Sequence, residues 1–264
     1  MILLRDVRKR FSENQRWITD GITLEIPAGK STCIIGQSGE GKSVLLKQII
    51  GLIKPTSGSI QIDGEEITTM NDRQLQEIFK KCGYVFQFAA LLDSLTIFEN
   101  IGISLLENNI PKSKVLPIVE EKLALVNLKP DILYKYPAQL SGGMKKRVGL
   151  ARTLITNPST ILYDEPTTGL DPITTRIVHE LMFETQQHLN LTSVVISHDV
   201  EIFKYVDNIA LLHKGKIRYF GPAKTIWEST NPYVHQFIRG LSDGPIPTEF
   251  SDRKKTESTQ EPIS

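Results

Sequence analysis

The sequence predicts an α/β fold: a largely parallel sheet covered by helices, with a small antiparallel layer beside it. Three observations predict it. Short β-branched or aromatic runs at 31–35, 84–86, 160–163, 193–196 and 209–213 alternate with longer segments of helical spacing. A glycine-rich turn joins the first run to a helical stripe. Two short hairpins lie outside the alternation, and the first points to the antiparallel layer.

Taken in order, Met1-Ile2-Leu3-Leu4-Arg5-Asp6 reads as the start of a strand, because charges arrive too soon for a signal peptide. After the glycine turn, Leu45, Ile49 and Ile53, with Leu46 and Ile50, form an i, i+4, i+8 stripe. Residues 59–62 turn at Asp63-Gly64 as the first hairpin. Val115, Val119, Leu123 and Val126 make a second stripe, and Met144, Val148, Ala151 and Ile155 a third. Asp171-Pro172 starts a helix, since Asp caps and Pro at the first position gives up an N–H that would lack a partner anyway. Residues 209–213 turn at Lys214-Gly215 into 216–220 as the second hairpin. Beyond Gly240 the composition becomes polar, with Pro245, Pro247 and Pro262, and reads as a tail. Within it Ser242-Asp243-Gly244-Pro245-Ile246-Pro247 is set apart as an exception to that reading.

The chain has 264 residues, 40% hydrophobic and 23% charged, enough to bury a sizeable core. Lys plus Arg number 31 against 30 Asp plus Glu, a net charge of +1 that gives no general reason to expect nucleic acid as a partner. No apolar run reaches the roughly 18 residues of a membrane span. Cys33 and Cys82 sit in apolar runs without a CxxC pattern, so neither a disulfide framework nor a zinc site is expected. The expected compartment is the cytoplasm.

Gly36-Gln37-Ser38-Gly39-Glu40-Gly41-Lys42-Ser43 fits the phosphate-binding pattern G-x-x-x-x-G-K-[ST] in full, between a strand and a helix. Its glycines let backbone N–H groups turn inward as a nest, and the helix N-terminus adds partial positive charge. Lys42 is expected on the β- and γ-phosphates and the Ser43 hydroxyl on Mg²⁺. Ile161-Leu162-Tyr163-Asp164-Glu165 is an apolar strand ending in two carboxylates. In a parallel sheet that end faces the ligand, so Asp164 suits the Mg²⁺ shell, and Glu165 suits the attacking water as general base or orienting group. At Leu140-Ser141-Gly142-Gly143-Met144, Ser141 can cap a helix whose first-turn glycines leave N–H groups uncovered. A second anion site is economical if it serves the nucleotide of another copy of the chain.

With these motifs in one order, residues 2–240 resemble the ATPase subunits of ABC transporters, whose signature LSGGQ appears here as LSGGM. That family's fold is a P-loop NTPase (RecA-like), mostly parallel sheet core with an antiparallel β layer and an inserted helical subdomain. The resemblance implies residues 1–240 as the ATPase domain, the helical subdomain at roughly 90–157, and 241–264 as a C-terminal tail. It implies Gln87 as the Q-loop glutamine linking Mg²⁺ and water to the membrane subunit. His198 becomes the switch histidine, Asp171 the D-loop acid, and Phe11 the aromatic on adenine, with Trp17 a weaker match. The implied assembly is a homodimer that sandwiches two ATP molecules between the phosphate loop of one subunit and the Ser141 helix terminus of the other.

Met144, the stretch Ala90-Leu91-Leu92-Asp93-Ser94-Leu95-Thr96-Ile97-Phe98-Glu99-Asn100 and the tail Leu241-Ser242-Asp243-Gly244-Pro245-Ile246-Pro247 are similar to the Mla/Mce-type phospholipid transport ATPases. That branch implies transmembrane permease subunits, an Mce-domain lipid-binding protein, a STAS-domain subunit in some members, and a place on the cytoplasmic side of the inner membrane. In such a complex 244–247 is expected to dock on the neighbouring ATPase, since its prolines lower the entropy cost of an extended docked strand. The rival within the family is an importer of amino acids or another small solute, which shares every catalytic motif. The single cassette, the lack of a coiled coil and the neutral charge disfavour an ABC protein of nucleic acid or the ribosome. Intact Glu165 and His198 disfavour a cassette that binds ATP without hydrolysing it.

Overall fold

A computed structural model of the chain describes residues 1–247. In chain order the strands and α-helices are β1 (Ile2–Lys9), β2 (Thr19–Ile26), β3 (Ser31–Ile35), α1 (Lys42–Ile49), β4 (Ser57–Ile62), β5 (Glu65–Glu66), α2 (Asp72–Lys81) and β6 (Cys82–Val85). Then come α3 (Ile97–Glu107), α4 (Lys112–Leu125), α5 (Gly142–Leu154), β7 (Thr160–Asp164), α6 (Pro172–Leu189), β8 (Thr192–Ile196), β9 (Asn208–His213), β10 (Lys216–Pro222) and α7 (Pro232–Arg239). The main sheet runs β10-β9-β3-β8-β7-β6, parallel except for the edge strand β10. A four-stranded antiparallel sheet, β2-β1-β4-β5, forms the second layer.

Strand alternation divides the core into two. From β3, Cys33 and Ile35 join one cluster, with Val115, Val119 and Leu123 of α4 and Val148 and Ala151 of α5. Ile34 faces the other, with Leu45 and Ile49 of α1 and Ile2, Leu4 and Ile60 of the antiparallel sheet. Both cysteines are buried and unpaired, and burial pushes each thiol up to about 12. They are inert at neutral pH.

Three expectations need correction. The first stripe does not extend to Ile53: α1 ends at Ile49, because Gly51 at φ 77° turns the chain away. The second hairpin is not outside the parallel sheet, since β9 pairs in parallel with β3 and only β10 reverses. The run at 84–86 shifts to β6, with Phe86 already in the loop. Two helices with no apolar stripe in the sequence reading owe their starts to capping boxes, Asn71 with Gln74 at α2 and Thr96 with Glu99 at α3. Among the described residues no helix is long and apolar enough to cross a membrane.

His179 of α6 is 1% exposed, and neither ring nitrogen has a hydrogen-bond partner. Burial holds its pKa below the ordinary imidazole value, against the opposing pull of Asp199 and Glu201. The unfolded chain therefore takes up a proton below about pH 6.5 that the folded chain refuses. This group's contribution to stability is whole above that pH and is lost as the pH falls toward the depressed folded value. His179→Leu is expected to flatten the acid side of the stability profile, measured as urea midpoints between pH 7 and 5.

The tail segment folds back on its own chain. Gln236 of α7 accepts from the Ile246 N–H at 2.7 Å and donates to the Ile246 carbonyl at 2.8 Å, and Ile246 is buried. The expected docking on a neighbouring subunit thus meets an intramolecular contact at Ile246, and residues 248–264 of the tail lie outside the described residues. Gln236→Ala leaves two buried backbone groups without partners, a loss of about 1–3 kcal/mol. The expected result is faster proteolysis just after Gly240 and a lower melting temperature, both read on the full chain.

Candidate functional site

Four neighbouring parallel strands deliver the chemistry from their carboxyl ends. Directly after β3 comes the glycine loop, and β7 ends in Asp164 with Glu165 next. His198 lies two residues beyond the end of β8, and Gln87 two beyond β6. The strand order places all four ends side by side.

Gly36 lies so close to β9 that a Cβ there would meet the Leu212 carbonyl oxygen at 2.3 Å. Gly41, at φ 93°, caps α1 without any side-chain bond, leaving the first N–H groups of that helix open. Lys42 is 5% exposed and donates to the Gly36 and Gln37 carbonyls, each at 2.8 Å. Burial lowers its pKa, and Glu165, Glu40 and Asp164 pull the other way. The Ser43 hydroxyl donates to Asp164 Oδ1 at 2.8 Å, and the Tyr84 hydroxyl donates to Oδ2 at 2.9 Å.

Glu165 is the meeting point. Its φ is 48°, a left-handed conformation unusual for a non-glycine residue, and its N–H is tied to the Ile196 carbonyl at 3.1 Å. His198 Nε2 lies 2.7 Å from Oε1, while Gln87 Nε2 and the Thr168 hydroxyl reach Oε2 at 3.3 and 3.1 Å. An ionised carboxylate can only accept, so Nε2 of His198 carries the proton in this contact.

A cleft of about 570 Å³ opens over the loop, lined by Ser38, Gly39, Gly41, Lys42 and Ser43, with Glu165 in its wall. That size suits a small organic ligand. Gln15, Arg16 and Ile18 from the β1–β2 loop close another side. Gly36, Gln37 and Glu40 do not line it. Glu40 instead turns to the β9–β10 hairpin, 2.9 Å from His213 Nδ1, and Gln37 reaches the Pro247 carbonyl at 3.5 Å.

The expected adenine platform is not in the wall. Phe11 is 58% exposed beneath the Lys9 ammonium, and Trp17 stacks on Arg10 beside an adjoining depression. Ser141, Gly142, Gly143 and Asp171 do not line the cleft either. Ser141 caps α5 through the Met144 N–H at 3.3 Å, and Asp171 caps α6 through Ile173 and Thr174. The bond from the Thr174 hydroxyl holds the Asp171 carboxyl below its ordinary value. These two helix starts touch: a Cβ on Gly143 would meet Thr174 Cγ2 at 2.4 Å.

Among the described residues no group of three or more His, Cys, Asp or Glu side chains could hold a metal ion. The donors present, one hydroxyl and one carboxylate beside a phosphate loop, suit Mg²⁺, which keeps its waters and shares protein carboxylates with substrate phosphates.

Sequence reasoning missed a set of cationic clasps on the segment after β6. Ala89 and Ala90 both adopt positive φ, 57° and 47°. From α5, Arg152 donates to their carbonyls at 2.9 and 2.6 Å, and Lys146 donates to the Gln87 carbonyl. The helix that begins at Ser141 thereby grips the loop that carries Gln87. Only the basic residues on an otherwise apolar helix signalled this in the sequence.

A family model described as ABC transporter matches residues 19–168. The probable ribonucleotide transport ATP-binding protein mkl of Mycobacterium leprae (strain TN) is 39% identical over 260 residues, 98% of this chain and 73% of that protein. The methionine import ATP-binding protein MetN of Escherichia coli (strain K12) is 36% identical over 261 residues, 97% of this chain and 76% of that protein. Among solved structures, the dimeric post-hydrolysis ATP-binding cassette MJ0796 with ADP and Pi matches with a TM-score of 0.77 and 31% identity, over 84% of this chain and 99% of that one. The cbiO1 structure from Clostridium perfringens, part of the ABC transporter complex cbiONQ, matches with a TM-score of 0.80 and 26% identity, over 91% and 94%.

Proposed function

The chain belongs to the ABC transporter family and hydrolyses ATP with Mg²⁺ to drive transport, and we propose that the cargo is phospholipid moved between bacterial membranes. The convergence of Gln87, Thr168 and His198 on Glu165, one wall of the phosphate-loop cleft, carries the catalytic part of this reading. In it, Lys42 and the N–H groups at the start of α1 hold the phosphates, and Ser43, Asp164 and Gln87 serve Mg²⁺. Glu165 takes the proton of the attacking water, and His198 orients Glu165 and meets the γ-phosphate. Phe11 is assigned to adenine in a closed state. Ser141, Gly142, Gly143 and Asp171 complete the site of a second copy in a homodimer, which accounts for their lying outside this chain's own cleft.

In the same reading residues 1–240 are the cassette, with the helical unit at roughly 90–157 and the tail after 240. The cassette sits on the cytoplasmic side of the inner membrane against transmembrane permease subunits. Phe88, 80% exposed, and Leu92 offer an apolar surface next to Gln87 for that contact. The choice of cargo is supported by Met144, the stretch 90–100 and the segment 241–247, each similar to the Mla/Mce branch, and it brings an Mce-domain protein and a STAS-domain subunit as partners. A second reading, import of a small solute, is favoured by the names of the relatives, methionine import and ribonucleotide transport.

The test is affinity capture of the full chain from gently solubilised membranes, with mass spectrometry and lipid extraction. A permease with an Mce-domain protein and phospholipid supports the first reading. A permease with a soluble solute-binding protein replaces it with the second. Recovery of ribosomes or DNA without a permease overturns both.

A further inference from the structure

We propose that Tyr84 is a positioning residue for the metal of this site, holding the Asp164 carboxylate in the one orientation that presents an oxygen beside Ser43. No motif of the sequence includes it. Tyr84 stands on β6 opposite Leu162 of β7, two residues before Asp164. A phenol lying along the strand direction can reach the strand's end from that register. Its hydroxyl donates to Asp164 Oδ2 at 2.9 Å, while Oδ1 accepts from Ser43 at 2.8 Å.

Both carboxylate oxygens are therefore committed, one to the phosphate loop and one to the sheet. The phenol is itself fixed. Its ring packs on the core cluster beneath α1 and against Phe86, with centroids 4.6 Å apart. The terminal torsion of an aspartate is soft, so a carboxylate held at one oxygen only can swing. Held at both, it meets a divalent cation without reorganising. Hydrogen-bonding partners behind a ligating group typically set 10–100-fold in metal affinity, and the outer partner here is a single neutral hydroxyl. About tenfold is the expected share of Tyr84.

This inference rests on the reading of Asp164 as a Mg²⁺ residue, so Tyr84→Phe and Asp164→Asn are made in parallel in the full chain. Tyr84→Phe keeps the ring and its packing, and a melting curve confirms that it folds. The readouts are the Mg²⁺ concentration for half-maximal ATPase, Mn²⁺ binding in the presence of ADP by electron paramagnetic resonance, and ADP binding in EDTA. For Tyr84→Phe the half-saturating Mg²⁺ is expected to rise about tenfold and Mn²⁺ affinity to fall by the same factor. ADP binding in EDTA should stay within about twofold, and kcat should recover most of its value at saturating Mg²⁺.

If Asp164→Asn leaves the metal dependence alone, the reading of Asp164 fails and this inference with it. If Asp164→Asn shifts it and Tyr84→Phe does not, the inference alone is overturned. Equal losses for Tyr84→Phe with and without metal would also overturn it, since they would mark a damaged fold and not a positioned carboxylate.

Discussion

Glu165→Gln is expected to cut phosphate release by about 10²–10⁴-fold while leaving ATP bound. The substitution keeps the side chain's length and volume, so the left-handed turn at φ 48° and the tie to the Ile196 carbonyl need not change. It removes the one group in the cleft wall able to accept a proton from water and removes the charge that His198 faces at 2.7 Å. Gln87 Nε2 and the amide nitrogen of the new side chain would also be two donors in contact, so the substituted amide must turn its oxygen toward one partner and lose another. Binding through the phosphate loop does not involve these atoms. With ATP held and not consumed, a nucleotide-sandwich dimer should accumulate, because a ligand stabilises whichever state binds it. The checks are a phosphate-release assay and gel filtration with and without Mg²⁺-ATP. Equal hydrolysis by wild type and variant would remove Glu165 from its role and leave His198 as the remaining base. The single losses at Glu165, His198 and Gln87 should not sum, since the three share one hydrogen-bonded cluster.

What could be read from the sequence was whatever is local. The glycine loop, the strand that ends in Asp164 and Glu165, and the start of α6 at Asp171-Pro172 are short-range patterns, each with its own chemistry. The structure puts the strand ends side by side through the order β3-β8-β7-β6. What could not be read is pairing across distance. Nothing near Tyr84 says that its hydroxyl meets Asp164, 80 residues on, because the β6–β7 register decides that. Arg152 and Lys146 look like solvent-facing positions of an amphipathic helix until the left-handed pair Ala89 and Ala90 turns its carbonyls toward Arg152 and the Gln87 carbonyl meets Lys146. The end of α1 is a further case: the apolar spacing of Ile53 continues the stripe, and only the positive φ of Gly51 stops it. Phe11 is placed at adenine by resemblance alone, and here it lies in the β1–β2 connection with 58% of it exposed, because a residue in a connection is not positioned by the sheet.

The same dependence on a distant strand makes Gly36→Ala the second large expected effect. A Cβ at Gly36 would lie 2.3 Å from the Leu212 carbonyl oxygen, a contact no real Cβ makes. That oxygen belongs to β9 one residue past the pair Ile35–Leu211, so it is fixed by the ladder and has no side-chain freedom with which to yield. The glycine loop must move instead, and with it the carbonyls of Gly36 and Gln37 that hold Lys42. Nucleotide affinity should fall by at least about 10²-fold, and overpacking should cost the fold about 1–3 kcal/mol, a drop of several degrees in melting temperature. Gly36 also has φ 155°, so its substitution carries strain and clash together, and Gly39→Ala shows what a positive φ costs with no clash. Gly39 has φ 77° but nothing within 4 Å of a Cβ, so it should lose only about 1 kcal/mol and bind a fluorescent ATP analogue within roughly tenfold of wild type. If the two variants bound nucleotide equally well, the close approach of the loop to β9 would have no part in shaping the phosphate site. A large loss confined to Gly36→Ala would mean that the first glycine is there for its close approach to the neighbouring strand and the φ of 155° that goes with it, and that the phosphate nest is positioned by the sheet before any ligand arrives.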